Sequence, residues 1–476
     1  MTLHLCTSSV ISKGRGGPRR ARLVLVFLAG LATVSCPVTR DVAIGAEIND
    51  QSDVGYVDPG FEDTNVDARD SGGTDAGQGD LREEERSGEV VGFEPEPLAA
   101  FFEALRDLDE GDREMVRVLH WGDSHTAADF LTTAIRRSLQ VRFGDGGRGF
   151  VLIGRPWRSY RPKDVSLRTT GDWSMERILV AADPATLDGR YGLGGVCAES
   201  DEHGASSWVG TKRGTGFGRK ASTFQVFYLK QPGGGSFQVI ADGRARGKVS
   251  TVSRRVRSGF FSMALKEGEH EFGVRLLGDG EVRFFGAVIE SDGPGLVYDT
   301  LGVNGGFFYT PLRWDGDLLA EQVAQRDPDL LVTMYGANEV DSKSINPERY
   351  RDKVLRVMER FRKGAPEADC LMLGPTDRKT RQPTNDSPDQ LSWIIDVQRE
   401  VADEIGCAFM DLREMMGGPG SQEMWSRMSP ALAQPDGIHL TVRGYRDLGE
   451  RIAAELLCAY EGRAEGRPCM APREEE

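Results

Sequence analysis

Short, predominantly apolar runs separated by helical stretches constrain this chain more than any other feature. They are Val116-Arg117-Val118-Leu119, Leu296-Val297-Tyr298, Leu330 to Met334, Cys370 to Leu373 and Ala408 to Asp411. Helical stretches accompany them at Thr126–Val141, Pro347–Arg362, Leu391–Ile405 and Thr441–Leu457, the first with Phe130, Leu131, Ala134, Ile135 and Leu139 on one face. A strand that is apolar on both sides must be covered on both sides. The pattern therefore predicts a parallel sheet between two helical layers, an α/β fold of three layers, αβα.

One interruption sits inside that rhythm. From about residue 155 to 290 the chain turns Gly-rich and alternates, as in Thr223 to Leu229, Phe237 to Ile240 and Val282 to Val288. Turn-bounded short strands predict a β-sandwich inserted between the first and second strands of the α/β unit. The α/β domain is thus split over 93–154 and 291–460, with a tail at 461–476. Leu98, Phe101, Phe102 and Leu105 open it as an amphipathic helix. Among the aromatics of the insert, Trp208, Phe217 and Tyr228 have faces that suit sugar rings, although core packing serves most such residues.

The chain of 476 residues carries a formal charge of −15, and its placement matters more than its size. Residues 1–40 hold +6 and residues 41–89 hold −12, leaving an ordinary −9 for the remainder. No global basic balance exists to hold nucleic acid. Lys13, Arg15, Arg19, Arg20 and Arg22 precede an apolar run from Leu23 to Val34, which reads as an export signal over 1–35. The run is short for a bilayer. It ends at Thr33-Val34-Ser35-Cys36, which resembles a bacterial lipobox with Thr33 in place of the usual aliphatic residue. A lipid anchor on Cys36 and ordinary signal cleavage are the two readings. Residues 36–92 are acidic, rich in Gly and Ser and almost free of aromatics, a disordered spacer by composition. The expected location is the cell envelope, outside the cytoplasm.

Past Cys36 there remain Cys197, Cys370, Cys407, Cys458 and Cys469, in no CxxC or Cys/His spacing that would bind zinc. Neither a metal nor an organic cofactor is expected. Export permits disulfides, and Cys458 with Cys469 closes the shortest loop.

The chemistry gathers where strands end. The first strand runs into Trp121-Gly122-Asp123-Ser124-His125-Thr126 and then a helix, putting Ser124 at the carboxyl edge of the sheet, where open α/β folds bind ligands. The helix start offers N–H groups to an anion, while a capping serine is the plain structural alternative. A serine nucleophile needs a histidine base, and the base a carboxylate. His120 falls within a strand, and His203 and His270 fall in the insert. His125 adjoins the serine too closely to serve it and suits the pocket wall. His439 stands in Pro435-Asp436-Gly437-Ile438-His439-Leu440-Thr441, before the last helix, with Asp436 three residues earlier. Gly302-Val303-Asn304-Gly305-Gly306 and Gly336-Ala337-Asn338-Glu339 follow two further strands, and each is a turn or an oxyanion loop.

Gly122-Asp123-Ser124, the 302–306 loop, Gly336-x-Asn338 and Asp436-x-x-His439 together resemble the four sequence blocks of the SGNH/GDSL hydrolases, over about 115–150 and 291–460. Gly122 to Ala127, then Phe143-Gly144-Asp145-Gly146-Gly147-Arg148-Gly149-Phe150 and a β insert, resemble the peptidoglycan O-acetylesterase branch, whose insert is a carbohydrate-binding-like sandwich. The resemblance implies Ser124 as nucleophile, His439 as base and Asp436 as its orienter. It implies an oxyanion hole of the Ser124 and Gly305 N–H groups and the Asn338 amide, with Gly302 the alternative to Gly305. Glu339 departs from the family, which commonly has Asp there. The implied activity is an exported serine esterase removing O-acyl, chiefly O-acetyl, groups from a glycan such as peptidoglycan. A glycan O-acyltransferase, a lipase or thioesterase, and a non-catalytic glycan-binding lipoprotein are the alternatives.

Overall fold

The computed structural model describes residues 94–157, 160–178, 188–212, 214, 216–342, 344–379 and 390–462. The segment read as an export signal, Cys36, the stretch read as a spacer and Cys469 lie outside the described residues. Among the described residues, no helix is long and apolar enough to cross a membrane.

The chain enters through α1 (Ala99–Glu110), crosses the molecule as β1 (Met115–Gly122), and continues in the short α2 (Ser124–Ala127) and in α3 (Leu131–Phe143). The insert then supplies β2 (Gly149–Val151), β3 (Val165–Thr170), β4 (Ser174–Arg177), β5 (Val196–Ser200), β6 (Ser206–Thr211) and β7 (Ala221–Lys230). It closes with β8 (Ser236–Ala241), β9 (Arg244–Ser250), β10 (Arg257–Gly268), β11 (Glu271–Leu276) and β12 (Val282–Glu290). The α/β unit resumes with β13 (Gly295–Gly302), α4 (Gly316–Arg326), β14 (Leu330–Met334), α5 (Pro347–Arg362), β15 (Asp369–Leu373) and α6 (Gln390–Ile405). Last come β16 (Ala408–Met410), α7 (Leu412–Met416), α8 (Ser421–Arg427) and α9 (Val442–Tyr460).

The parallel sheet has the order β13-β1-β14-β15-β16. Taken in chain order this is 2-1-3-4-5, so the connections diverge between β1 and β14, the switch point where such sheets open a crevice. Register makes the crevice useful. Gly122 pairs with Gly302 on one side and with Met334 on the other, so β13, β1 and β14 end level with one another. Their following loops are side by side.

Both faces of the sheet are buried, as the unbroken apolar runs require. Val116 and Val118 of β1 pack with Leu105, Ile135 and Leu448 from α1, α3 and α9. Leu119 and Trp121 point the other way, into a core shared with α4, α5 and α6. Trp121 stacks on Phe361 of α5 at 4.1 Å and donates its indole N–H to Leu193 O of the insert at 2.8 Å, so the ring is buried without an orphaned donor.

The insert is a sandwich of two antiparallel sheets, β10-β7-β12-β5-β4 and β3-β6-β11-β8-β9. Phe224, Phe237, Phe272 and Phe284 fill the space between them. The first sheet is covered twice, for Phe227, Leu229, Phe285 and Val288 on its other face join the core that contains Trp121. That explains why β12 is buried along its whole length. β2, on the N-terminal side of residue 155, pairs with β12 and so belongs to this sheet. Trp208 and Tyr228 are buried, and Phe217 is half-buried with the Arg137 guanidinium 5.2 Å from its ring centre.

Two local features differ from the sequence reading. The helix expected over Thr126–Val141 is broken between α2 and α3 by Asp129, at φ +56°. The Asp129 carboxylate accepts from Thr132, Thr300, Arg148 and the Lys163 N–H, and these bonds offset the left-handed backbone. The second feature is a disulfide between Cys370 at the start of β15 and Cys407 just before β16, a pairing the spacing did not suggest. Cys197 is a buried free thiol. The Cys458–Cys469 pairing falls on a residue outside the described ones.

Candidate active site

Ser124 opens α2, and as the first helical residue its N–H has no intrahelical acceptor. Asp123 caps the helix, its Oδ1 accepting from the His125 N–H at 3.0 Å. Two glycines let this turn fold back over the sheet. A Cβ on Gly122 would stand 2.0 Å from Thr126 Oγ1, and one on Gly302 would stand 2.1 Å from the Ala127 nitrogen. Both contacts are closer than any side chain allows, so α2 lies directly on the strand ends.

His439 arrives from the far end of the chain on a self-braced loop. Asp436 Oδ1 accepts from the Ile438 and His439 N–H groups, each at 2.9 Å, a turn made by an aspartate with its own backbone. The loop is pinned by the Gln434 N–H to His439 O at 2.8 Å and by Gln422 Nε2 to the same oxygen at 3.2 Å. The other Asp436 oxygen, Oδ2, takes His439 Nδ1–H at 2.7 Å. With Nδ1 protonated, Nε2 accepts, and the Ser124 hydroxyl donates to it at 3.0 Å. Burial alone would raise the Asp436 carboxyl, but the His439 bond and the two N–H groups outweigh it and bring it down to about 2. The carboxylate is therefore charged at any ordinary pH. The side chains of His439 and Asp436 are 31% and 39% exposed, so the relay opens to solvent.

The two remaining loops meet beside the serine. Asn338 Nδ2 donates to Gly306 O at 2.8 Å, using one of its two hydrogens and linking the loops that follow β14 and β13. Gly305 turns at φ +72° with open space where a Cβ would be. Its N–H has no hydrogen-bond partner among the described residues, whereas the Gly306 N–H is spent on Val303 O at 2.9 Å. Gly302 instead pairs within the sheet and packs on Ala127. The structure thus brings Ser124, Asp436, His439, Gly305 and Asn338 to one edge, with Gly302 beneath them.

The other histidines fall into place by their partners. His120 is buried, its Nδ1 2.8 Å from Tyr298 Oη, and burial keeps it neutral by lowering it to about 3. His125 is also buried, its ring 5.4 Å from that of His439. Tyr445 Oη lies 3.1 Å from its Nδ1, and burial, then the charge of His439, lowers it to about 3. It forms the floor under the base as a neutral ring. His270 pairs with Asp242 in the insert, and His203 is exposed.

Three more groups support this edge, and sequence reasoning passed over the last two. Glu339 is fully buried and accepts from the Phe308 N–H at 2.5 Å, a second tie between the loops. Burial raises it to about 8, and Asp123, itself raised by burial to about 7, adds to this. Asp377 accepts from Arg413 and from the Gly420 and Gln422 N–H groups, fixing the helix that supports His439. Arg378 is buried against the Asn338 turn. The signal for the last two was Thr376-Asp377-Arg378 itself, a polar triplet just beyond a strand that ends at the same edge.

Chemically, a hydroxyl bonded to a neutral imidazole that is oriented by a carboxylate can attack an acyl carbon, with free donors nearby for the oxygen that becomes negative. Fold and family place the chain in a class: it is an ester-bond hydrolase built on a three-layer αβα sheet with an inserted β domain. More narrowly, its carboxyl-terminal part is similar to the GDSL-like hydrolases. Residues 270–446 match the model of the GDSL-like lipase/acylhydrolase family, a span that takes in Gly305, Asn338, Asp436 and His439 and leaves out Ser124. A solved structure of a peptidoglycan O-acetylesterase superposes with a TM-score of 0.63 at 24% identity, over 76% of this chain and 96% of that one. Similarity extends to a lipase/acylhydrolase from Enterococcus faecalis, with TM-score 0.27, 22% identity, 34% of this chain and 76% of that one. It extends also to a family two carbohydrate esterase from Clostridium thermocellum in complex with cellohexaose, with TM-score 0.26, 14% identity, 60% and 98%. No curated protein matches the chain.

Proposed function

We propose that this protein is an exported serine esterase that removes O-acetyl groups from a cell-envelope glycan such as peptidoglycan. The observation that carries the proposal is the continuous line of hydrogen bonds from Ser124 Oγ through His439 to Asp436, at 3.0 and 2.7 Å. Ser124 Oγ attacks the acyl carbon as its proton passes to His439 Nε2, and Asp436 steadies the imidazolium that results. The Ser124 and Gly305 N–H groups and the second Asn338 hydrogen hold the oxyanion. His439 returns the proton to the departing sugar oxygen, and water, activated by the same base, releases acetate.

Solvent exposure of the relay favours water as the acceptor over a second sugar. It also suits a polymer that has to lie across an open edge. The Cys370–Cys407 disulfide supports an oxidising compartment, in keeping with the basic and apolar start of the sequence. Anchoring through a lipid on Cys36, with residues 36–92 as spacer, completes the reading.

The test is an acyl-chain series of 4-nitrophenyl esters alongside O-acetylated glycans. A preference for acetyl, with acetate released from glycan and no acetyl moved to an added acceptor sugar, is expected. Preference for long chains would point to a lipase, and acetyl found on the acceptor would point to a transferase.

A further inference from the structure

The loop after β15 brings to this edge a cation with no part in the relay. Arg378 is 6% exposed, and its guanidinium divides between two acceptors. Nη1 donates to Ala337 O, and Nη2 donates to Asp341 Oδ2 at 2.7 Å. These acceptors stand on either side of Asn338 and Glu339, so one planar fork spans the whole turn that presents the Asn338 amide. Nε is buried and has no partner among the described residues, so the guanidinium is placed by the two acceptors of the turn. Its field is felt at the nucleophile turn, where burial raises Asp123 and Arg378 is among the groups that oppose the rise.

We propose that Arg378 is the positioning residue of the oxyanion hole, setting the Asn338 amide at the height where the developing oxygen needs it. The inference rests on the esterase reading given above. The geometry asks for arginine in particular. A lysine ammonium keeps the charge but is a single point, unable to hold Ala337 O and the Asp341 carboxylate together in one plane. Misplacing a catalytic donor by about 1 Å costs roughly a hundredfold in rate, and the loss belongs in kcat because the donor acts on the transition state.

The experiment compares the full chain with Arg378→Lys and Asp341→Asn, each alone and combined with Asn338→Ala. One readout is kcat and KM on 4-nitrophenyl acetate. The other is the rate at which a fluorophosphonate modifies Ser124, followed by intact mass. In that step the serine oxygen bonds to phosphorus, fluoride departs with the serine proton, and the phosphoryl oxygen occupies the oxyanion site. Arg378→Lys should lower kcat and the labelling rate by about ten- to a hundredfold with KM within about twofold. In the Asn338→Ala background it should lower them by less than about threefold, because a positioning residue has nothing left to position. Should Arg378→Lys not fold, Asp341→Asn carries the test, its side chain being 43% exposed. A drop in its labelling rate that disappears beside Asn338→Ala supports the proposal. Full activity in Arg378→Lys, or losses that multiply with that of Asn338→Ala, would overturn it while leaving the esterase reading intact. A native chain that is neither labelled at Ser124 nor active would remove the esterase reading, and this one with it.

Discussion

Glu339 shows how a single residue can be both legible and opaque in a sequence. Its place after Asn338 suggests a loop support, and the support is there, in the bond from the Phe308 N–H. What the sequence does not show is the burial that raises its carboxyl to about 8. A carboxyl raised on folding binds its proton more tightly in the native state, so stability is full below its unfolded value and falls as pH climbs toward 8, by at most about 1.4 kcal/mol per unit. Glu339→Gln, neutral at every pH, should flatten that decline. Urea denaturation at pH 5 and pH 8 checks it; equal slopes in the native chain and the variant would show Glu339 ionised throughout. Asp436 behaves in the opposite sense. Its lowered value of about 2 means that its contribution persists down to the ordinary carboxylate range and is lost only in strong acid. Ser124 and His439 were visible because their chemistry demands partners of fixed type. Arg378 was not, because a charged residue after a strand usually faces water, and only tertiary packing turns it inward.

At the scale of elements, apolar runs without alternation identified the buried strands, and alternation identified the insert. Helix α4 escaped notice, since the polar residues of Gly316–Arg326 dilute its apolar stripe. The break between α2 and α3 escaped too, because all but one of the hydrogen-bond partners of the Asp129 carboxylate come from β13 and from the entry to the insert, away from the helix in sequence. Disulfide pairing is likewise a tertiary fact. Cys370 and Cys407 lie at the N-terminal ends of the adjacent strands β15 and β16, closing a loop with a sequence separation of 37. Cross-linking a loop of that length removes about 4 kcal/mol of chain entropy from the unfolded state. Replacing both cysteines by alanine should therefore lower the urea midpoint markedly while leaving kcat near its native value, since the bond lies at the opposite end of the strands from Ser124. A kcat that fell in step with stability would tie the disulfide to the site.

Over the whole molecule, the sheet order does the assembling. Loops far apart in sequence become neighbours because β13, β1 and β14 end in register, and α9, packed on α3 through Gly449, anchors the loop that carries His439. The insert does not hang from this unit. Its first sheet shares a core with Trp121, so the two parts stabilise one another. The parallel sheet and its inserted β domain could be read from the sequence because each follows from local pattern. The brace beneath the site could not, being made of contacts between loops. The central claim is that Ser124 performs the chemistry, and acetate release from O-acetylated peptidoglycan by the native chain and by Ser124→Ala tests it most directly. Release by the native chain that drops to background in the variant is the expected result. Equal release by both would contradict the account.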